Sequence, residues 1–180
     1  MQTEPRVSES RRPDLDYHCM RVLLLIGAFE SRGSRVYGLT KLAKLDFLLR
    51  YPAFLDRLMR NRQWQWPADA APRDVDRDAV EERMIRYKYG PWDSRYYQVL
   101  GVLAGLGLLS VENKGGGISF ETTDLGQSLR RQILERPEWT LVAARCDMLA
   151  AKFDWSGYEL KETIYRELPE VVDRPLRSAI

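Results

Sequence analysis

The chain has 180 residues with 28 basic and 26 acidic side chains, a formal net charge of +2. That total is too small to announce a nucleic-acid binder, so the distribution of charge has to decide the matter. Apolar residues make up 44%, enough to bury the core of one domain, and no apolar run reaches the roughly 18 residues that a bilayer span needs.

The first 13 residues are polar, carry both charges and read as a disordered arm with no secretory signal. Pro13-Asp14 then opens a helix in which Leu15, Cys19, Val22, Leu23 and Ile26 recur at helical spacing, ending near Arg32-Gly33. A short extended piece, 35–38, leads to Thr40, an expected N-cap for "TKLAKLDFLLRY". Leu42, Leu45 and Leu49 form that helix's inner stripe, and Asp46 and Arg50 make an i,i+4 pair. Tyr51-Pro52 stops it, and "AFLDRLMRNRQ" reads as another short helix. Residues 64–78 hold two prolines and several Asp and Ala residues, and read as a mobile loop.

From Glu82 the period changes to two. Ile85, Tyr87 and Tyr89 alternate with Met84, Arg86 and Lys88, a strand of about six residues stopped by Gly90-Pro91. Asp93 or Ser94 caps the next helix, with Tyr96, Val99, Leu100 and Leu103 inward and Gly107 at its end. Two short strands around Gly115-Gly116-Gly117 form a hairpin, and Thr123-Asp124 caps a helix that Pro137 cuts off. Helical stretches over 139–153 and 158–168 and a polar tail after Pro169 complete the chain.

This order is that of a winged-helix domain. The expected fold is mainly α with a small β wing: a winged-helix core over 14–136, a helical extension over 137–168 suited to docking or dimerisation, and a tail over 169–180.

The catalytic possibilities are thin. Asp74, Asp76 and Asp78 share the alternation of a calcium loop, but Ala79 and Ile85 stand where glycine and a bidentate glutamate belong. The three glycines lack the Lys-Ser/Thr and helix start of a phosphate loop. Glu81 and Glu82, adjacent in a strand, point to opposite faces, and His18 has no evident acid-base partner. Two cysteines and one histidine do not make a zinc site without added carboxylates. Both cysteines read as core residues of a reduced, cytoplasmic protein. No catalytic, cofactor or metal residue is expected, and the chain is not read as an enzyme.

Two binding surfaces stand out. Between Thr40 and Gln63, six basic residues (Lys41, Lys44, Arg50, Arg57, Arg60 and Arg62) face two acidic ones, Asp46 and Asp56, a local excess of four just before Trp64 and Trp66. Such a stretch is either a phosphate-binding patch indifferent to sequence or a solvated helix face. Lys114 at the wing tip joins the candidate DNA contacts. The helix placed to enter a major groove offers only Arg95 and Gln98 as strong base readers beside Val102 and Gly105, which suits a protein partner better than a sequence-specific site. Tyr89, Trp92, Arg95, Tyr96 and Tyr97 are the candidates to meet that partner, because large aromatics and arginine dominate interface energetics; core packing is the competing reading, and the stronger one for Tyr96.

"GLTKLAKLDFLLRYP", the later "RYKYGPWDSRYY" and the C-terminal "FDWSGYELKETIYRELPEV" together resemble the middle component of bacterial ABC-three component systems, Lamassu-like anti-phage systems among them. The likeness covers roughly residues 15 to 172, and its distinctive parts are the Lys-Leu-Asp and Tyr-Gly-Pro motifs. It implies a non-catalytic accessory subunit of an SMC-like ATPase complex that also holds an effector, with sequence-independent DNA contact and a homodimer surface on the C-terminal helices. A looser resemblance to the Panacea antitoxin domain, which stops short of those helices, implies an antitoxin-like partner binder. A dimeric DNA-binding regulator is the other alternative.

Overall fold

The computed structural model describes residues 15–74, 84–88, 90–115 and 117–180. The N-terminal arm, Asp76, Asp78, Glu81, Glu82, Tyr89 and Gly116 lie outside the described residues, as does the side chain of Lys114.

The described chain is mainly helical with a small antiparallel sheet. Helix α1 (Leu15–Glu30) buries every residue from His18 to Phe29 except Met20. The one-sided stripe expected for it is therefore too narrow. A helix apolar all round belongs at the centre, and α1 sits there, packed by the later helices and one strand. Gly33 follows with φ +74, the left-handed backbone that the sequence assigns to the helix stop.

Strand β1 (Val36–Tyr37) runs directly into α2 (Gly38–Arg50), so the helix starts two residues before Thr40 and carries no side-chain cap. Its Leu42, Leu45 and Leu49 are buried as the stripe requires, and so is every other residue from Lys41 to Arg50. Tyr51 closes α2 and Pro52 opens α3 (Pro52–Asn61), where a missing amide proton costs no helical bond. The described part of the following loop is anchored. Trp64 packs on Phe153 and Trp155, Trp66 Nε1 donates to Asp56 at 2.9 Å, and the buried Arg145 Nε donates to the Ala70 carbonyl at 3.1 Å.

Gly90-Pro91 does not stop a strand but belongs to one. β2 (Ile85–Tyr87) pairs antiparallel with β3 (Gly90–Trp92), Tyr87 opposite Gly90. Gly90 at φ +95 supplies the backbone that an L-residue resists. The C-terminal segment lines the other side of β2: Arg86 N donates to Ser178 O at 2.9 Å, Arg177 N to Arg86 O at 2.7 Å, and Ile180 N to Met84 O at 2.9 Å. The expected polar tail is thus tied to the fold, and its first residues form a short helix, α8 (Pro169–Val172).

After β3 comes α4 (Tyr96–Gly105), whose Tyr96, Val99, Leu100 and Leu103 face inward as the sequence indicates. β4 (Leu109–Lys114) and β5 (Gly117–Thr122) form the hairpin, and β1 joins β5 to give the order β1-β5-β4. Thr123 caps α5 (Asp124–Leu134), its hydroxyl accepting from Gly126 N at 3.0 Å and donating to Gly107 O at 2.6 Å.

A 3₁₀ turn (Pro137–Trp139) precedes α6 (Thr140–Lys152) and α7 (Gly157–Glu167), the latter opened by a capping box of Ser156 and Glu159. These helices are not an appendage. α6 packs on α1 and α7 on α2, and Cys146, Leu149, Leu160 and Ile164 belong to the same apolar core as Leu23 and Phe47. Their inward faces are therefore unavailable to a second copy of the chain.

Candidate functional site

The Lys-Leu-Asp segment of α2 lies against the Gly-Pro-Trp strand β3, which Asp93 follows. Helical geometry places Lys41, Lys44, Asp46 and Arg50 within the buried stretch of α2, so each needs a partner. Asp46 has 0% exposure and accepts from Arg21 Nε at 2.7 Å, Arg21 Nη2 at 3.1 Å and the Tyr96 hydroxyl at 2.7 Å. Arg50 lies 3.7 Å from Asp46 and donates to Asp93 Oδ2 at 2.9 Å. Asp93 also accepts from the Arg95 backbone amide at 3.0 Å and from its guanidinium at 2.6 and 3.0 Å. Asp93 thus does more than open a helix, since it carries the buried charge network out to the surface.

The electrostatics follow from this packing. Burial alone would raise the Asp46 carboxyl, but Arg21 and Arg50, with hydrogen bonds from Arg21 and Tyr96, outweigh it and hold the group at about 2. Burial pushes His18 down to about 4, helped by the nearby positive charge of Arg21, Arg95 and Arg50. Burial, then the Asp46 carboxylate, raises the Tyr96 hydroxyl well above its ordinary value. Such a buried charge network holds a corner rigid, because removing one member strands the others as buried charges.

Trp92 stands outside this lock. Its ring meets the buried Tyr96 edge-on at 5.4 Å, and Tyr87 and Tyr97 at 6.0 Å each. Tyr97 is 66% exposed and Tyr87 46%. The result is an aromatic ledge held from below by fixed charges. Beside it a groove of about 440 Å³ runs between the start of α2, the β2–β3 ribbon and the C-terminal segment, with Lys44 and Arg177 in its wall.

The expected partner residues separate accordingly. Trp92 and Tyr97 lie on the ledge, and Arg95 is partly exposed but engaged with Asp93. Tyr96 is core, its hydroxyl committed to Asp46, and so is removed from the surface set. Tyr89 falls outside the described residues. Tyr87, read from sequence only as a strand position, belongs to the ledge because the β2–β3 pairing brings it beside Trp92.

The expected DNA contacts do not form one patch. Lys41 is buried and bonded to Asp154 at 2.7 Å and to the Arg35 carbonyl at 3.0 Å. Lys44 is 2% exposed, so neither lysine lies on an open face that could track a DNA backbone. Arg57 pairs with Glu170, Arg60 with Asp56, and Arg62 with Glu167 through two hydrogen bonds of 2.8 and 2.9 Å, stacked on Trp155. The excess of four charges along the sequence is largely offset by carboxylates that the fold brings from elsewhere. Lys114 lies on β4, its side chain outside the described set.

Among the described residues no cluster of three or more His, Cys, Asp or Glu side chains could hold a metal ion, and no helix is long and apolar enough to cross a membrane. Comparison with protein-family models, curated proteins and solved structures returned no match.

Proposed function

We propose that this chain is a non-catalytic accessory subunit that docks onto an SMC-like ATPase and an effector in an anti-phage defence complex, using the aromatic ledge of Tyr87, Trp92 and Tyr97. The observation that carries the reading is the pairing of exposed rings with a rigid base. Solvent-facing aromatics of this size cost solubility, and a locked support spares the ordering entropy that docking otherwise incurs. The two motifs that carry the family resemblance build the ledge and its base together.

The winged-helix assignment of the core belongs to this proposal. It is supported by the sequence of elements from α1 to β5 and by the sheet order β1-β5-β4, in which the first short strand joins the hairpin. The outer side of α4 exposes Tyr97, Gln98, Gly101, Ala104 and Gly105, of which only Gln98 is a strong base reader. That composition favours a protein partner over a sequence-specific regulator and leaves DNA contact sequence-independent. Placement in the cytoplasm goes with the same proposal.

The test is reconstitution with an SMC-like ATPase from the same genome, the partner this proposal requires. Co-elution at a fixed ratio on a sizing column is expected, and separate elution of the two folded proteins contradicts the proposal. Binding to one pseudo-palindromic DNA site, lost on changing Gln98, would favour a regulator instead.

A further inference from the structure

The groove beside the ledge has a composition that docking does not require. Its floor holds Lys44, 2% exposed, whose Nζ donates to the Pro91 carbonyl at 3.1 Å and has no other acceptor among the described residues. An ammonium carries three donors, so two are left for something else. Arg177 stands in the same wall at φ +67, a left-handed backbone costly for a residue other than glycine, and its guanidinium has no ion pair among the described residues. Thr40, in the first turn of α2 near its positive end, also lines the groove. Among the described residues no carboxylate lines the groove, while Tyr87, Trp92 and Tyr97 give it flat apolar walls.

From this arrangement we infer that the groove binds a small aromatic or heteroaromatic anion, its acidic group on Lys44 and Arg177 and its ring against Tyr87, Trp92 and Tyr97. A space of about 440 Å³, mainly apolar with a few convergent polar groups, is that of a small-ligand site. Charge complementarity fixes the sign. Burial and the neighbouring Lys161 ammonium, itself paired with Glu162, draw Lys44 down to about 7, and an anion would reverse that cost. This inference goes beyond the docking proposal and is tested on the isolated chain.

The probes are phenylacetate and phenyl phosphate, with phenylacetamide as the neutral counterpart and inorganic phosphate as the ring-free one. Binding is followed by amide shift changes in the full chain. Saturable binding of one or both aromatic anions on the order of 1 mM is expected, with shifts centred on residues 85–97 and 177, and at least roughly tenfold weaker binding of the amide and of inorganic phosphate. Lys44→Met should weaken the anions about tenfold or more. Arg177→Gly, which relieves backbone strain and so keeps the fold, should weaken them several-fold, on the order of one charge-assisted hydrogen bond. Preference for phenyl phosphate or for phenylacetate assigns the acidic group. The inference is overturned if no probe saturates by about 10 mM, if phenylacetamide binds as well as phenylacetate, or if the folded Arg177→Gly and Lys44→Met variants both bind like the parent.

Discussion

Arg50 donates to Asp93 at 2.9 Å across 43 positions of sequence, and through that contact the end of α2 fixes the corner from which the aromatic ledge projects. Arg50 is also 3.7 Å from Asp46, so a single guanidinium joins the buried network to the surface one. Two short motifs far apart in sequence become one structural element here.

Asp46→Ala tests the network's contribution to stability. It leaves Arg21 and Arg50 buried with a partner removed and the Tyr96 hydroxyl without its acceptor, a loss of about 3–5 kcal/mol in denaturant unfolding. Asp93→Ala should cost less, because Asp93 is partly exposed and Arg50 keeps Asp46 nearby.

Two glycines should respond in opposite directions. A Cβ on Gly126 would lie 2.1 Å from the Leu108 carbonyl oxygen, at the tight junction where α5 leaves the sheet. Gly126→Ala should therefore destabilise by about 1–3 kcal/mol or more. Gly101 lies in α4 with nothing within 4 Å of an added Cβ, and Gly101→Ala should stabilise by up to about 1 kcal/mol. Thermal unfolding of the two variants side by side separates backbone clash from helix propensity.

Stability should rise from mildly acid pH and continue to rise past neutrality. His18 titrates near 4 when folded and near 6.5 when unfolded, so the unfolded chain binds the extra proton between those values and stability falls as pH drops through that window. Asp46, lowered to about 2 from 3.8, adds a further loss below pH 3.8. Lys44 works the same way at higher pH: folded near 7 and ordinarily 10.5, it makes stability increase as pH rises from 7, with a slope of up to about 1.4 kcal/mol per unit. Above about 9 the raised thiol of Cys146 opposes this trend, and above 10 so does Tyr96. Denaturant melts between pH 7 and 9 should show the rise in the parent and a flatter profile in Lys44→Met. Lys161, facing Lys44 from α7, remains charged across that range.

Much of the helical framework is legible in the sequence, because it is written in local signals. Gly33, Pro52, Thr123 and Gly107 mark ends by backbone geometry or capping, and the structure uses each. What depends on distant partners is less legible. Lys41 and Lys44 look solvated because long cations usually are, and only the fold supplies Asp154 and the Pro91 carbonyl. Arg21 offered a clue, as a lone charge within the apolar run of α1 demands a buried partner. The brief β3 strand was hidden because proline suggests a break, yet Pro91 fits a strand when its missing amide proton is not needed by the ladder. The groove needed the C-terminal segment to fold back, and its polar sequence gives no sign of doing so.

The most direct measurement is the affinity of an SMC-like ATPase, the partner the docking proposal requires, for this chain and for its Tyr97→Ala variant, by titration calorimetry. Tyr97 is 66% exposed on α4, so its removal should leave the unfolding free energy within about 0.5 kcal/mol of the parent. The docking proposal requires binding by the parent and at least a tenfold loss in the variant, about 1.4 kcal/mol. Equal affinities for the two chains, or no binding by the parent, would contradict it.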